Sequence, residues 1–185
     1  MTEYSLDKDF ATLDITKITP LSRIMKMVKK PQRPGKTCEM TSGFMHEEEI
    51  LHAAKELRIS EDQLKKNLLE KTYAYNKEVH KPKLVKQRNK EHLPYGKCVF
   101  YDNNECALGE KMPLHCRLST SEKFGYKLHL WYVLNYILDH EDPDAIRQWA
   151  IYLKTHPTIP GGELEEMVPD KEKLEKILSY EILKK

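Results

Sequence analysis

Cysteine is the residue type in this chain whose numbers and spacing best fit a chemical site. The chain has 185 residues and four cysteines, of which Cys98, Cys106 and Cys116 lie close together in sequence and Cys38 stands apart. Thiolates are preferred ligands of zinc and of iron–sulfur clusters, and four of them complete one tetrahedral zinc site or hold one [4Fe–4S] cubane. The cysteines therefore suggest one metal site.

The segment from Cys98 to Leu108 is predicted to form a β-hairpin. Short apolar runs flank the turn residues Asp102-Asn103-Asn104, as is typical of a hairpin. A hairpin centred on Asp102 would place Cys98 opposite Cys106, with their Cβ atoms about 5 Å apart. Cys116 would fold back through a turn at Pro113, and Cys38 would join from the loop before the next helix.

The spacing of the cysteines alone leaves two other interpretations open. Seven residues separate the first pair of the cluster and nine the second, and neither separation is the CxxC pattern of common zinc sites. Four unrelated buried cysteines are one alternative, because free cysteine is among the most buried residue types. A disulfide between Cys98 and Cys106 is the other, and a reducing compartment disfavours it.

Composition and charge restrict the general class of the protein. A hydrophobic fraction of 39% and a charged fraction of 32% are typical of a globular chain, and a net charge of +2 requires neither nucleic acid nor a membrane as partner. The first ten residues carry acidic groups and no apolar core of a signal peptide. The longest apolar run, at 128–138, is too short to span a bilayer. We expect a cytoplasmic protein.

Local patterns predict a mainly α (α+β) fold, in which five to six helices surround the small hairpin that carries the four-cysteine site. Thr19-Pro20, a capping box at Ser60–Gln63, Asp142-Pro143 and Pro169-Asp170 are typical helix starts. The predicted helices cover 20–30, 46–57, 61–75, 128–138, 142–153 and the segment after 170. The segment 109–116 is predicted to be a turn.

A basic segment at 76–97 contains seven Lys or Arg and two Glu. It is interpreted either as a solvated loop or strand pair or as a surface for an anionic ligand, including RNA. The candidate anion-binding residues are Lys81, Lys83, Lys86 and Arg88. No P-loop, GxGxxG or HExxH motif is present in the sequence.

The run from Cys98 to Arg117 resembles the second half of the YkgJ-type zinc- or iron-chelating cysteine-cluster proteins. The pattern there is roughly C-x-F-L-(x)-C-x-I-Y-E-x-R-P-x-x-C-R, and this chain has Met112 where the family prefers Arg. The family's first half is CxxCGxCC. Here Gly35 and Cys38 match it, while prolines at 31 and 34 and a threonine at 37 replace cysteines. The resemblance covers about 31–140.

The resemblance implies a single site in this chain, where fuller members of the family carry seven or eight cysteines. The four that remain, Cys38, Cys98, Cys106 and Cys116, are the number that one Zn²⁺ or one [4Fe–4S] cluster needs. His115 and Arg117 flank the last cysteine and are candidates for outer contacts to the ligands. The expected organisation is a lead-in and short helix at 1–30, a cysteine-cluster domain at 31–140 and a helical extension at 141–185 on the same core.

Three functions fit these observations. The first is a small cytoplasmic metal-binding protein whose closed four-cysteine site is structural and supports binding of a protein partner. The second is an iron–sulfur enzyme or electron-transfer component of a protein or RNA modification system, since relatives of the family include flagellin lysine methylases with an iron–sulfur cluster. The third is an RNA- or ribosome-associated module that uses the basic segment.

Overall fold

A computed structural model describes residues 14–28, 36–86, 92–121 and 123–183 of the chain. The lead-in before residue 14, the proline-rich part of the degenerate cysteine motif at 31–35, and Arg88 lie outside the described residues. The described part contains eight α-helices and three two-stranded antiparallel sheets. The α+β class is therefore confirmed, whereas the prediction of five to six helices is too low.

The N-terminal helices begin where the sequence predicts. Helix α1 (Leu21–Met27) follows Pro20, and helix α2 (Glu47–Leu57) has three glutamates in its first turn, where the helix dipole favours negative charge. Helix α3 (Glu61–Asn67) starts at the Ser60 capping box, in which Ser60 Oγ accepts the backbone N–H of Gln63 at 3.1 Å. A 3₁₀ turn (Lys36–Glu39) precedes α2 and carries Cys38.

The prediction that α3 continues to residue 75 is wrong. After Asn67 the chain forms strand β1 (Leu69–Ala74), which pairs antiparallel with strand β2 (Lys77–Pro82). Tyr75 and Asn76 form a two-residue turn with φ of 49° and 60°, as in the turns that match the twist of a hairpin. The apolar residues Leu64 and Leu68 fit a helix, and they do not reveal this pairing because the pairing depends on strand β2, which comes later in the chain.

The predicted hairpin exists, but its register differs. Strand β5 (Tyr101–Asp102) pairs with strand β6 (Glu105–Cys106) around Asn103-Asn104, whose positive φ angles make the tight turn. Cys106 therefore lies opposite Tyr101. Cys98 belongs to another sheet, in which strand β4 (Lys97–Cys98) pairs with strand β3 (Leu84–Val85). The prediction that one hairpin carries the site is wrong, because the hairpin supplies Cys106 alone.

The C-terminal half is helical. The predicted turn at 109–116 is a 3₁₀ turn (Gly109–Lys111) followed by helix α4 (Leu114–Ser119), which contains Cys116. Helix α5 (Gly125–Tyr132) continues as a π-helical turn (Val133–Ile137), and helix α6 (Pro143–Leu153) starts at Asp142 as predicted. Helices α7 (Leu164–Met167) and α8 (Lys171–Leu178) complete the described fold.

Two clusters of buried apolar residues form the core. The larger one lies among the C-terminal helices and contains Trp149, Tyr132 and Ile146, each fully buried. The smaller one joins α2 and α3 to the cysteine-bearing strands and contains Cys98 and Leu108. Within the described residues no helix is both long and apolar enough to cross a membrane.

Candidate functional site

Cys98 and Cys106 lie in two similar local structures. Each cysteine ends a two-residue strand, and the backbone N–H groups two and three residues later donate hydrogen bonds to its sulfur. Phe100 and Tyr101 are the donors for Cys98, and Leu108 and Gly109 are the donors for Cys106. Such donors favour the thiolate over the thiol and lower the pKa, opposing the effect of burial.

Cys116 receives a similar hydrogen bond from a different segment. The backbone N–H of Gly43 donates to the Cys116 sulfur. The two groups approach so closely that a Cβ placed on Gly43 would lie 2.7 Å from Cys116 Sγ. Glycine is therefore required at this position by the space available.

All four cysteines line one cavity of about 390 Å³. In addition to burial, the proximity of Cys38, Cys98 and Cys106 raises the pKa of Cys116, and that of Cys98 and Cys106 raises the pKa of Cys38. The structure thus gathers the four sequence-predicted ligands around one space, although they come from four separate elements. Among the residues that the structure describes, however, no group of three or more His, Cys, Asp or Glu side chains is arranged to hold a metal ion.

Burial determines the protonation state of these thiols. It raises the pKa of Cys38 to about 11 and raises the pKa of Cys98, Cys106 and Cys116, the last most strongly. Neighbouring cysteines raise the pKa further, because two thiolates side by side repel each other. All four groups are thus protonated at neutral pH in the absence of a cation.

His115 lies on the wall of the same cavity, with both ring nitrogens engaged. Its Nδ1 accepts the backbone N–H of Phe44 at 2.9 Å, and its Nε2 lies 3.0 Å from His129 Nδ1. The ring is stacked between Phe44 and Tyr132, at centroid distances of 5.0 and 4.5 Å. Burial lowers the pKa of His115 to about 3. His115, which was predicted to contact the cysteine ligands, is thus a neutral ring that holds the backbone N–H of Phe44, next to Gly43.

Glu49 joins the first turns of two helices beside this stack. One carboxylate oxygen accepts the backbone N–H of Leu114 at 2.6 Å, and the other accepts that of His46 at 2.9 Å. His46 Nε2 in turn lies 3.0 Å from the hydroxyl of Tyr132. The roles of Glu49, His46, Tyr132 and His129 were not predicted from the sequence. A usable signal was Glu49 itself, which stands three residues after the residue that caps α2.

The remaining predicted site residues do not line the cavity. Arg117 is not one of its lining residues, and its Nε atom is buried without a hydrogen-bond partner in the described structure. The ammonium of Lys81 pairs with Glu70 at 3.0 Å. The other two described lysines of the proposed anion surface, Lys83 and Lys86, donate to backbone carbonyls. The anion-binding role of this segment stays a prediction.

The chemistry available at the cavity is therefore that of four thiols and two neutral imidazoles in largely apolar surroundings. Comparison of the chain with protein-family models, with curated proteins and with solved structures finds no match. The resemblance to the YkgJ-type proteins thus stays a prediction from the residues around the cysteines.

Proposed function

We propose that the protein binds one metal centre through Cys38, Cys98, Cys106 and Cys116, and that this centre is structural and supports the binding of a protein partner in the cytoplasm. The observation that carries the proposal is that these four cysteines, distant in sequence, line a single cavity. Four thiolates suit one Zn²⁺ or one [4Fe–4S] cluster.

The four cysteines suit a metal centre by their surroundings as well as by their number. Three of the four sulfurs accept backbone N–H hydrogen bonds, which stabilise the ligand thiolates of a metal site and orient them. The raised thiol pKa values mean that a cation must displace protons when it binds. We therefore expect metal affinity to increase with pH through the neutral range.

The separation of the ligands bears on which metal they would hold. Zn–S bonds of about 2.3 Å bring tetrahedral sulfurs to within about 3.8 Å of one another, and the described residues contain no group that is ready to hold a single ion. A zinc ion would therefore require the thiols to rotate inward. A cubane carries its thiolates on four different irons and tolerates a wider arrangement. We keep both as candidates for the centre.

The origin of the ligands supports a structural role. They come from the 3₁₀ turn at Lys36–Glu39, from β4, from β6 and from α4, so a shared metal would connect four segments. Two of these segments, β4 and β6, belong to two different two-stranded sheets, and the other two belong to no sheet. Sheets of two strands are only marginally stable alone. A bound metal that stabilises the folded state would offset that weakness.

Metal analysis of protein purified without oxygen tests the proposal. We expect about one zinc per chain, or about four irons with matching sulfide and a broad visible absorption band. Cys98→Ser and Cys106→Ser should each lose the metal and lower the unfolding temperature. Thr41→Ala, which changes a side chain on the same cavity wall but no thiol, should keep both.

Two outcomes would overturn the metal proposal. One is wild-type protein without zinc, iron or sulfide whose stability is unchanged by Cys98→Ser. The other is a bound metal that remains at full stoichiometry in all four single Cys→Ser variants.

A further inference from the structure

The cavity wall carries a fixed hydrogen-bond donor as well as the thiols. The backbone N–H of Phe44 can only donate, so Nδ1 of His115 is an acceptor and its proton lies on Nε2. That proton is donated to Nδ1 of His129 across 3.0 Å. The proton of the His129 ring must then lie on Nε2. One backbone N–H thus sets the tautomer of two histidines in series.

His129 Nε2–H has no partner within the described part of the chain. Among the described residues the His129 ring is hydrogen-bonded to His115, through Nδ1. Its Nε2 is not among the buried atoms without a hydrogen-bond partner, so this atom has some exposed surface. It therefore remains reachable from outside the protein, and His129 lines the cavity. A donor that is oriented through two rings and left unpaired is a typical recognition group of a ligand site.

The rest of the wall defines what the donor would recognise. No Asp, Glu, Lys or Arg of the described residues lines the cavity, and much of its surface comes from aromatic and apolar side chains, namely Phe44, Phe100, Tyr101, Met112, Pro82 and Pro113. A charged ligand would lose its hydration there without gaining an opposite charge. A neutral acceptor that pairs with one N–H meets no such penalty.

We propose that this cavity binds a small neutral molecule, largely apolar or aromatic, whose carbonyl oxygen accepts a hydrogen bond from His129 Nε2. A space of about 390 Å³ lies within the range of small-molecule sites. The inference goes beyond the metal proposal, because it depends on the histidine pair and the apolar wall. The thiols line the same space, so a bound metal centre would take up part of it and the ligand would occupy the remainder.

Two nearly isosteric probes test it. Acetophenone carries a carbonyl, and α-methylstyrene replaces that oxygen by a methylene group. We expect the wild-type protein, as purified with its metal content measured, to bind acetophenone about 3- to 10-fold more tightly, because one net hydrogen bond distinguishes the probes. Benzoate should bind more weakly than acetophenone, since its charge is not compensated in the cavity.

Two variants locate the site. His129→Phe keeps an aromatic ring but removes the donor, and it should abolish the preference for acetophenone. Gly125→Leu places a side chain on the cavity wall where a Cβ meets no atom within 4 Å. This variant should lower the affinity for both probes about tenfold or more, because the leucine side chain occupies part of the cavity and removes apolar contacts with the probe. In wild-type protein the ¹⁵N resonance of His129 Nε2 should shift with acetophenone and not with α-methylstyrene.

Equal affinity for the two probes, or no binding of either, would overturn the ligand proposal whether or not metal is bound. A preference that survives in His129→Phe would also overturn it. Protein that is purified without zinc, iron or sulfide, is unchanged in stability by Cys98→Ser and still prefers acetophenone would overturn the metal proposal and leave this one standing. The ¹⁵N measurement needs no variant, so a folding defect in either variant does not remove the test.

Discussion

Replacing Gly43 by alanine tests the geometry of the cysteine cavity most directly. An added Cβ would lie 2.7 Å from Cys116 Sγ, 3.1 Å from the Cys116 backbone nitrogen and 3.2 Å from His115 Nδ1. None of these neighbours moves easily, because Cys116 is inside helix α4 and the ring of His115 is stacked on both faces. The Gly43 backbone must therefore shift away from both residues.

That shift has two energetic consequences. Overpacking of a well-filled region destabilises a protein by about 1–3 kcal/mol. The displacement also weakens the hydrogen bonds from Gly43 to the Cys116 sulfur and from Phe44 to His115 Nδ1, each of which contributes about 0.5–1.5 kcal/mol. We expect Gly43→Ala to lower the free energy of unfolding by about 2–4 kcal/mol, which for a chain of this length lowers Tm by roughly 5–15 °C.

Gly125→Ala is the matched control. Gly125 lines the same cavity, but a Cβ added there meets nothing within 4 Å, and the residue begins helix α5. Because alanine favours helices over glycine by up to about 1 kcal/mol, this variant should be as stable as wild type or slightly more stable. Urea unfolding, followed by tryptophan fluorescence in reduced, metal-free protein, measures both. Wild-type stability of Gly43→Ala, or equal losses in the two variants, would refute the reasoning.

Three further predictions concern the surroundings of the cavity and the C-terminal helices. Glu49→Gln should lower the free energy of unfolding by about 1–3 kcal/mol, because the carboxylate accepts hydrogen bonds from backbone N–H groups of two helices. Glu48→Gln, on the exposed side of α2, is the control, and equal effects of the two substitutions would contradict the role of Glu49. Arg147→Met should destabilise the protein by about 2–4 kcal/mol in thermal or urea unfolding, because the buried guanidinium donates to the carbonyl oxygens of Ile177 and Ile182. If the free energy of unfolding falls by less than about 0.5 kcal/mol, these hydrogen bonds contribute little to stability. Burial lowers the pKa of His115 from 6.5 to about 3, so as the pH falls the unfolded chain binds a proton before the folded protein does. The contribution of His115 to stability is therefore complete above pH 6.5 and is lost between pH 6.5 and 3, which should lower the free energy of unfolding by about 2 kcal/mol at pH 5. Urea unfolding of metal-free protein at pH 7 and 5 measures this decrease, and a decrease of the same size in His115→Gln would rule out His115 as its origin.

The helices could be predicted where their signals are local. The Ser60 capping box and Asp142-Pro143 each start a helix in the structure, because a cap requires only residues within one turn. The extension of α3 to residue 75 was wrong, since strand β1 is held by hydrogen bonds to β2 across the turn at Tyr75-Asn76. Leu69 fits a helical apolar face and a strand equally well, so periodicity could not decide between them.

The register of the cysteine hairpin shows the same limit. A turn centred on Asp102 and a two-residue turn at Asn103-Asn104 are both compatible with the sequence, and they place different residues opposite Cys106. A shift of register moves side chains to other faces. The partner of Cys98 is Leu84, which precedes it by 14 residues. That pairing is set by long-range packing that no local pattern contains.

By itself the sequence determined which side chains have the chemistry of metal ligands, and it predicted from number and resemblance that Cys38 joins the later cysteines. Only the tertiary structure decided that the four line one cavity, that Gly43 must be glycine, and that His115 and His129 form a chain of hydrogen bonds. The physical reason is that ligand chemistry belongs to single residues, whereas a cavity and an oriented proton depend on elements brought together across the whole chain.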